Sequence, residues 1–191
     1  MFWNKKESRS VENPNTPVSF KNLMNVFGLD SVSSSGVSVT IDNALGVPSV
    51  MAAVQFLSGT IGSLPLNVYQ KTDNGREKLQ SGIQNILHDA FNDECTSFDG
   101  RKYAMQNTLT HGRSLTYIER SGSRIVNLFS IDPSKVKIKS NGFNKQYIFK
   151  ASDGRETTYQ ANEIIDIPFA LRSDNITAIS PILNAKNAIG L

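Results

Sequence analysis

The hydrophobic period of this chain changes at residue 114, and that change restricts its fold class more than any other feature. Before it, apolar residues recur at spacings of three and four; after it, they alternate. The first spacing belongs to amphipathic helices and the second to half-buried strands. Leu115, Tyr117 and Ile118 lead to a Ser121-Gly122-Ser123 turn, and an apolar run follows from Ile125 to Ile131 before Asp132-Pro133 breaks it. Val136 and Ile138 alternate with lysines, Asn141-Gly142 turns, Tyr147-Ile148-Phe149 follows, Asp153-Gly154 turns again, and Ile164, Ile165 and Ile167 make a last strand. Turn signals at intervals of about 8–12 residues describe an antiparallel meander. The fold class is α+β, with several helices packed on that sheet.

The helical half is led by residues 48–62. Pro48 suits a first helical turn, where its missing N–H costs nothing. Val50, Val54, Leu57 and Ile61 then share one face with Ala53 and are expected to be core, and Gly62 and Pro65 end the helix. Gly59, inside the helix, is expected to mark a close packing point. Leu66 to Gln70 and Arg76 to Leu79 read as a hairpin around Asp73-Asn74-Gly75. Helices are predicted at 83–91, with Ile83, Ile86, Leu87 and Phe91, and at 97–111, closed by Gly112 as a C-terminal cap. Ser180-Pro181 opens a final helix with Ile182, Leu183, Ala185, Ile189 and Leu191. The boundaries are a flexible arm over 1–36 with a short helix at 19–28, an α+β domain over 37–179, and the start of a truncated helix over 180–191.

Chemistry is sparse in this sequence. The lone cysteine, Cys95, can form no internal disulfide and has no histidine at metal spacing, so a reducing, intracellular setting is expected. The N-terminus has no apolar stretch after Lys5-Lys6, and no run approaches the roughly 18 residues of a membrane span, so no membrane association is expected. His88 and His111 fall near the ends of different predicted helices, and no Gly-x-Ser-x-Gly, His-Glu-x-x-His or Walker-type loop occurs. Asp89, Asp93 and Glu94 cluster at a helix end, where solvated carboxylates are commonplace. No catalytic, cofactor-binding or metal-ligating residue is assigned.

Lys and Arg number 20 against 17 Asp and Glu, too even a balance to make a nucleic-acid binder by charge alone. One charged pattern has a geometry. In Lys135-Val136-Lys137-Ile138-Lys139, a period of two puts the three lysines on one strand face and the aliphatics on the other. That row can meet DNA phosphates or an acidic neighbouring subunit, and Arg113, Arg120 and Arg124 near adjacent turns add to the basic option.

The order of motifs resembles one known family. Val39-Thr40-Ile41-Asp42-Asn43-Ala44-Leu45 runs into Val47-Pro48-Ser49-Val50-Met51-Ala52-Ala53-Val54, and Ile61-Gly62-Ser63-Leu64-Pro65-Leu66-Asn67-Val68-Tyr69 follows. His111-Gly112 precedes the Leu115-Thr116-Tyr117-Ile118 strand, Leu128-Phe129-Ser130-Ile131-Asp132-Pro133 leads to a proline turn, and Glu163-Ile164-Ile165 precedes Ile179-Ser180-Pro181-Ile182-Leu183. Together these resemble the N-terminal wing portion of portal proteins of long-tailed phages, over residues 37–191. Arg113 stands where that family commonly has Asn, and Ile179 lies near a usual glycine; each is expected to alter a turn.

The resemblance implies a structural, non-enzymatic subunit, without cofactors, of a ring of about twelve copies at one capsid vertex. The implied partners are other portal subunits, the major capsid protein, the terminase large subunit, a head-tail adaptor and double-stranded DNA passing through the channel. The implied location is the virion, reached through the host cytoplasm. It also implies that residues 180–191 begin a helix leading to a stem not contained in this chain. Two other readings stay open: a small α+β nucleic-acid-binding module using the lysine strand, and a hydrolase with an unrecognised site.

Overall fold

The computed structural model describes residues 39–189 apart from Asn74 and Phe143; the expected arm over 1–36 and its short helix lie outside the described residues. Residues Ile41–Ala185 form one compact unit. It opens with α1 (Ile41–Leu45) and α2 (Pro48–Ser63), followed by the ribbon of β1 (Tyr69–Thr72) and β2 (Gly75–Lys78). Next come α3 (Gly82–His88), a small hairpin of β3 (Ala90–Asn92) and β4 (Cys95–Thr96), and α4 (Ser97–His111). Strands β5 (Arg113–Ser121), β6 (Arg124–Ile131), β7 (Val136–Ser140), β8 (Lys145–Lys150), β9 (Glu156–Gln160) and β10 (Ile164–Pro168) complete the sheet region, and α5 (Pro181–Asn184) follows. The second unit includes α6 (Lys186–Ile189).

Every ladder is antiparallel, and the alternating half forms two three-stranded sheets, β10-β5-β6 and β7-β8-β9. Strand β10 returns beside β5, placing Ile164 opposite Tyr117 and Ile167 opposite Ser114. One core lies between the sheets, where Leu115, Ile131, Tyr147 and Ile164 are buried with Tyr117, Val136, Ile138, Phe149 and Tyr159 packed on them. The Tyr117 ring lies 4.8 Å from Tyr159 and 6.4 Å from Phe129. A second core joins Ile86 and Phe91 to Leu128, with Ile118 and Ile125 against it. Strand β5 therefore contributes to both cores, Leu115 and Tyr117 to the first and Ile118 to the second, and its first four residues are all buried.

The helices depart from the expected phase. Of the predicted face of α2 only Val54 is buried, and the covered stripe is Val54, Ser58 and Gly62 at strict spacings of four. Leu57 is 43% exposed and Ile61 41%, so neither is core. Small residues occupy the covered stripe because α2 lies close against α4. A Cβ built on Gly62 would stand 3.2 Å from Lys102 Cβ and 3.3 Å from the Phe98 ring, whereas one built on Gly59 meets nothing within 4 Å. Gly62, rather than Gly59, is the close-packing point. Gly59→Ala should raise the melting temperature, because alanine gains about 0.5–1 kcal/mol over glycine in a helix interior, while Gly62→Ala should lower it.

The predicted helix at 83–91 ends at His88, and Phe91 serves β3 instead. A polar hub on α4 caps this helix end. Arg101 donates from Nε and Nη2 to the Gly62 carbonyl at 3.2 and 2.9 Å, and from Nη1 to Leu87 at 2.7 Å. Ser97, fully buried, donates to the same Leu87 carbonyl at 2.5 Å. These donors satisfy carbonyls at the C-termini of α2 and α3, which have no intrahelical partner, and the guanidinium complements both helix dipoles.

The final predicted helix is represented by α5 and α6, two short helical segments; Gly190 and Leu191 lie outside the described residues. Ser180 caps α5 as expected, accepting from Leu183 N at 3.2 Å.

Candidate functional site

Helix α4 ends where the sequence places its stop. Gly112 adopts φ +80°, and its carbonyl accepts from Phe169 N at 2.8 Å. The segment after β10 doubles back, with Ile179 N donating to the Ala170 carbonyl at 2.9 Å and a bridge between Leu171 and Ala178. Ser180 Oγ donates to the Thr110 carbonyl at 2.5 Å, fastening this return to the end of α4. At its tip Asp174 accepts from Thr177 Oγ1, Ile176 N and Thr177 N, bonds that hold its carboxyl down to about 2. Ile179 sits there without positive φ, as Asn175 alone among the described non-glycine residues has one, so the backbone asks for no glycine at that position.

Arg113, expected to add to a basic surface, is buried instead. Its Nε lies 2.8 Å from Asp166 Oδ1, both side chains being about nine-tenths buried, and Nη2 donates to the Ile176 carbonyl at 2.8 Å. The approach to Asp166 is off-axis for a hydrogen bond, so charge rather than direction holds the pair. Asp166 Oδ2 accepts from Tyr147 Oη at 2.8 Å. Burial first, and then the Asp166 carboxylate, push the Tyr147 phenol well above its ordinary range. The network joins β5 and β10 of one sheet to β8 of the other. It is a structural lock between the two sheets.

The remaining titratable candidates stay apart. His88 faces Asp89 at 2.8 Å on the surface, and His111 lies 2.9 Å from Thr110 Oγ1. Asp132 is raised by partial burial, but bonds from Ser134, with His111 and Lys135 nearby, outweigh this and hold its carboxyl low. Asp89, Asp93 and Glu94 are exposed. Burial, then Asp99, pushes the Cys95 thiol up. Among the described residues no group of three or more His, Cys, Asp or Glu is placed to hold a metal, and no helix is long and apolar enough to cross a membrane.

Two surfaces stand out. The first is basic. Lys137 and Lys139 are exposed on the outer face of β7, while Val136 and Ile138 pack inward. Lys135 belongs to the 3-10 turn Pro133–Lys135 just before the strand. The three lysines line a depression of about 530 Å³ whose far side carries Lys150, Ala151 and Glu156, with Ile148 in its floor. Lys150 was not legible as part of the row: it reaches this wall only because β8 pairs Ile148 with Lys137. Arg120 and Arg124 lie elsewhere, beside a different depression near Ser81 and Ile125.

The second surface is apolar. Helix α2 carries no charged residue in its 16 positions; it exposes Phe56 at 73%, Leu57 and Ile61, and the Leu64 that caps its C-terminus is 54% exposed. Isolated exposed apolar side chains are ordinary; a run of them on one helix marks an interaction face.

Comparison with known proteins agrees with this architecture. The chain is 27% identical over 176 residues to the probable portal protein of Streptomyces phage phiC31, covering 87% of this chain and 38% of that protein; it thus spans well under half the length of this curated relative. Among solved structures it resembles the neck of an empty GTA particle, with a TM-score of 0.65, 13% identity, and coverage of 78% of this chain and 42% of that one. It also resembles an HK97 family phage portal protein from Corynebacterium diphtheriae, with a TM-score of 0.52, 16% identity, and coverage of 76% and 43%. These two likenesses concern the fold. The phage portal protein family matches residues 48–191, from the proline that opens α2 to the last residue, and the chain belongs to that family.

Proposed function

We propose that this chain supplies the wing-like part of a structural subunit of a phage portal ring, the capsid vertex through which DNA is packaged and ejected. The observation that carries this reading is the family match over residues 48–191. On this reading residues 37–179 form the wing, residues 180–191 lead toward a stem, and the subunit acts by position rather than by turnover. Its partners are neighbouring copies, about twelve in a ring, together with the major capsid protein, the terminase large subunit, a head-tail adaptor and the DNA in transit. Its place is the virion vertex, after assembly in the host cytoplasm.

The uncovered face of α2 supports a role among neighbours. Stable interfaces gather apolar side chains at a desolvated centre, and Phe56, Leu57, Ile61 and Leu64 offer that on a helix with no charge to bury. A cyclic ring uses a heterologous contact, one face of each copy against a different face of the next. Immunogold labelling of purified tailed particles carrying an epitope-tagged chain should place label at a single capsid vertex. Phe56→Glu should remove the chain from particles while leaving its circular dichroism and melting temperature unchanged, since Phe56 is largely solvated. Label spread over the shell or on the tail would overturn the assignment.

A further inference from the structure

We propose that the depression between Lys135, Lys137, Lys139 and Lys150 is a binding surface for the phosphate backbone of double-stranded DNA, read without regard to sequence. The proposal goes beyond the ring role and stands without it, because it concerns an open sheet face and is measured on the chain by itself.

The charge is concentrated against a nearly neutral background. The whole chain carries a formal charge of only +3, yet four lysines stand around one depression of about 530 Å³, against Glu156 at its rim and Asp132 near Lys135. Among the described residues none of the four lysines lies in an ion pair. Lys137 and Lys139 are two residues apart on an antiparallel strand, an advance of about 6.8 Å. Duplex DNA carries about one charge per 1.7 Å of axis, so a phosphate falls within reach of each ammonium group in any register. Lysine suits this use, as a flexible point charge that needs no bidentate geometry.

The same face argues against other polyanions. A protein partner would need an exposed apolar or aromatic anchor at the centre of its contact, and the apolar lining of this depression is Val136, Ile148 and Ala151, all partly buried and none aromatic. The exposed large apolar side chains of α2 are not among its lining residues. Single-stranded nucleic acid is held largely by stacking on aromatic rings. Tyr147, Phe149 and Tyr159 of these strands instead pack into the core between the sheets. Gln146 and Gln160 stand in register with Lys139 and can add neutral donors to phosphate oxygens. Glu156, in register with Lys150, repels phosphate and so limits the track on that side.

Fluorescence anisotropy with a labelled 30-base-pair duplex of arbitrary sequence tests this. Each phosphate contact contributes about −0.9 to the slope of log affinity against log salt, so four contacts predict a slope near −3.6. That corresponds to roughly a hundredfold loss of affinity between 50 and 200 mM salt. The triple variant Lys137→Ser/Lys139→Ser/Lys150→Ser should keep its fold by circular dichroism and reduce the slope to about −0.9. Glu156→Gln should tighten binding, and a second duplex of unrelated sequence should bind equally. A paired Lys71→Ser/Lys78→Ser variant on the β1–β2 ribbon should bind as the parent does. The proposal fails if the parent does not bind at 50 mM salt, if the triple variant binds as the parent does, or if polyglutamate or single-stranded DNA binds as tightly as the duplex at matched salt.

Discussion

Arg113→Ala should destabilise the Ile41–Ala185 unit by about 3–5 kcal/mol, the cost of removing one partner from a buried ion pair. The loss is large because of what stays behind. The Asp166 carboxyl is left without its cation in a site about nine-tenths buried, with the Tyr147 hydroxyl its one donor among the described residues, and the Ile176 carbonyl loses its guanidinium donor. Arg113→Lys restores the charge but not the fork that reaches Asp166 and Ile176 together, so it should recover part of the loss. Replacing both members of the pair by apolar residues of similar volume should cost less than Arg113→Ala, because no uncompensated charge is then buried. Urea unfolding followed by circular dichroism gives these differences. Arg124→Ala is the control, since Arg124 is exposed and in no ion pair among the described residues. Equal losses at 113 and 124 would show that the pair contributes nothing to stability.

Gly112→Ala carries the second large effect, of about 2–5 kcal/mol, and for two separable reasons. At φ +80° an L-residue is strained by roughly 1–2 kcal/mol. In addition, a Cβ at this position would stand 2.4 Å from the Ile179 carbonyl oxygen and 2.6 Å from Ser180 N. Both atoms are backbone and belong to the return segment fastened by Ser180 to Thr110, so they cannot rotate away as a side chain would. Overpacking of this kind adds about 1–3 kcal/mol. Gly122→Ala separates the two causes: its φ is +63°, with nothing within 4 Å of the added carbon. Thermal unfolding should show Gly112→Ala falling well below Gly122→Ala, at about 2–4 °C for each further kcal/mol in a domain of this size. Matching melting temperatures would mean that the return segment yields freely and the close approach carries no energy.

The positions of these two residues also explain the two departures from the family pattern. An arginine after the helix-ending glycine reaches the carboxylate of β10 and a carbonyl of the return segment. Isoleucine at 179 contributes its carbonyl beside Gly112 and needs no unusual backbone. Both were expected to alter a turn. Instead they take part in one compact junction among α4, β5, β10 and the return segment.

What the amino-acid sequence determined by itself is whatever depends on neighbours along the chain. The change of period at 114, the glycine that ends α4, the Ser180 cap and the alternation of Lys137 and Lys139 with Val136 and Ile138 are local choices. Propensity, turn chemistry and the two-residue pleat suffice to set them. The motif order along residues 37–191 was legible for the same reason, since it is a linear pattern. Tertiary structure alone decided which side of α2 is covered. A helix with apolar residues nearly all round shows no single stripe; the covered one is Val54, Ser58 and Gly62, and at Gly62 the approach of α4 leaves no room for a larger side chain. It also decided that Arg113 is buried while Lys150 joins Lys137 and Lys139. Asp166 lies 53 positions from Arg113 in sequence, and Lys150 meets the lysine row only through the pairing of β8 with β7. Charge pairs and surface clusters of this kind arise between segments that meet only after the chain has folded, and no periodicity within one segment encodes which partner will be there.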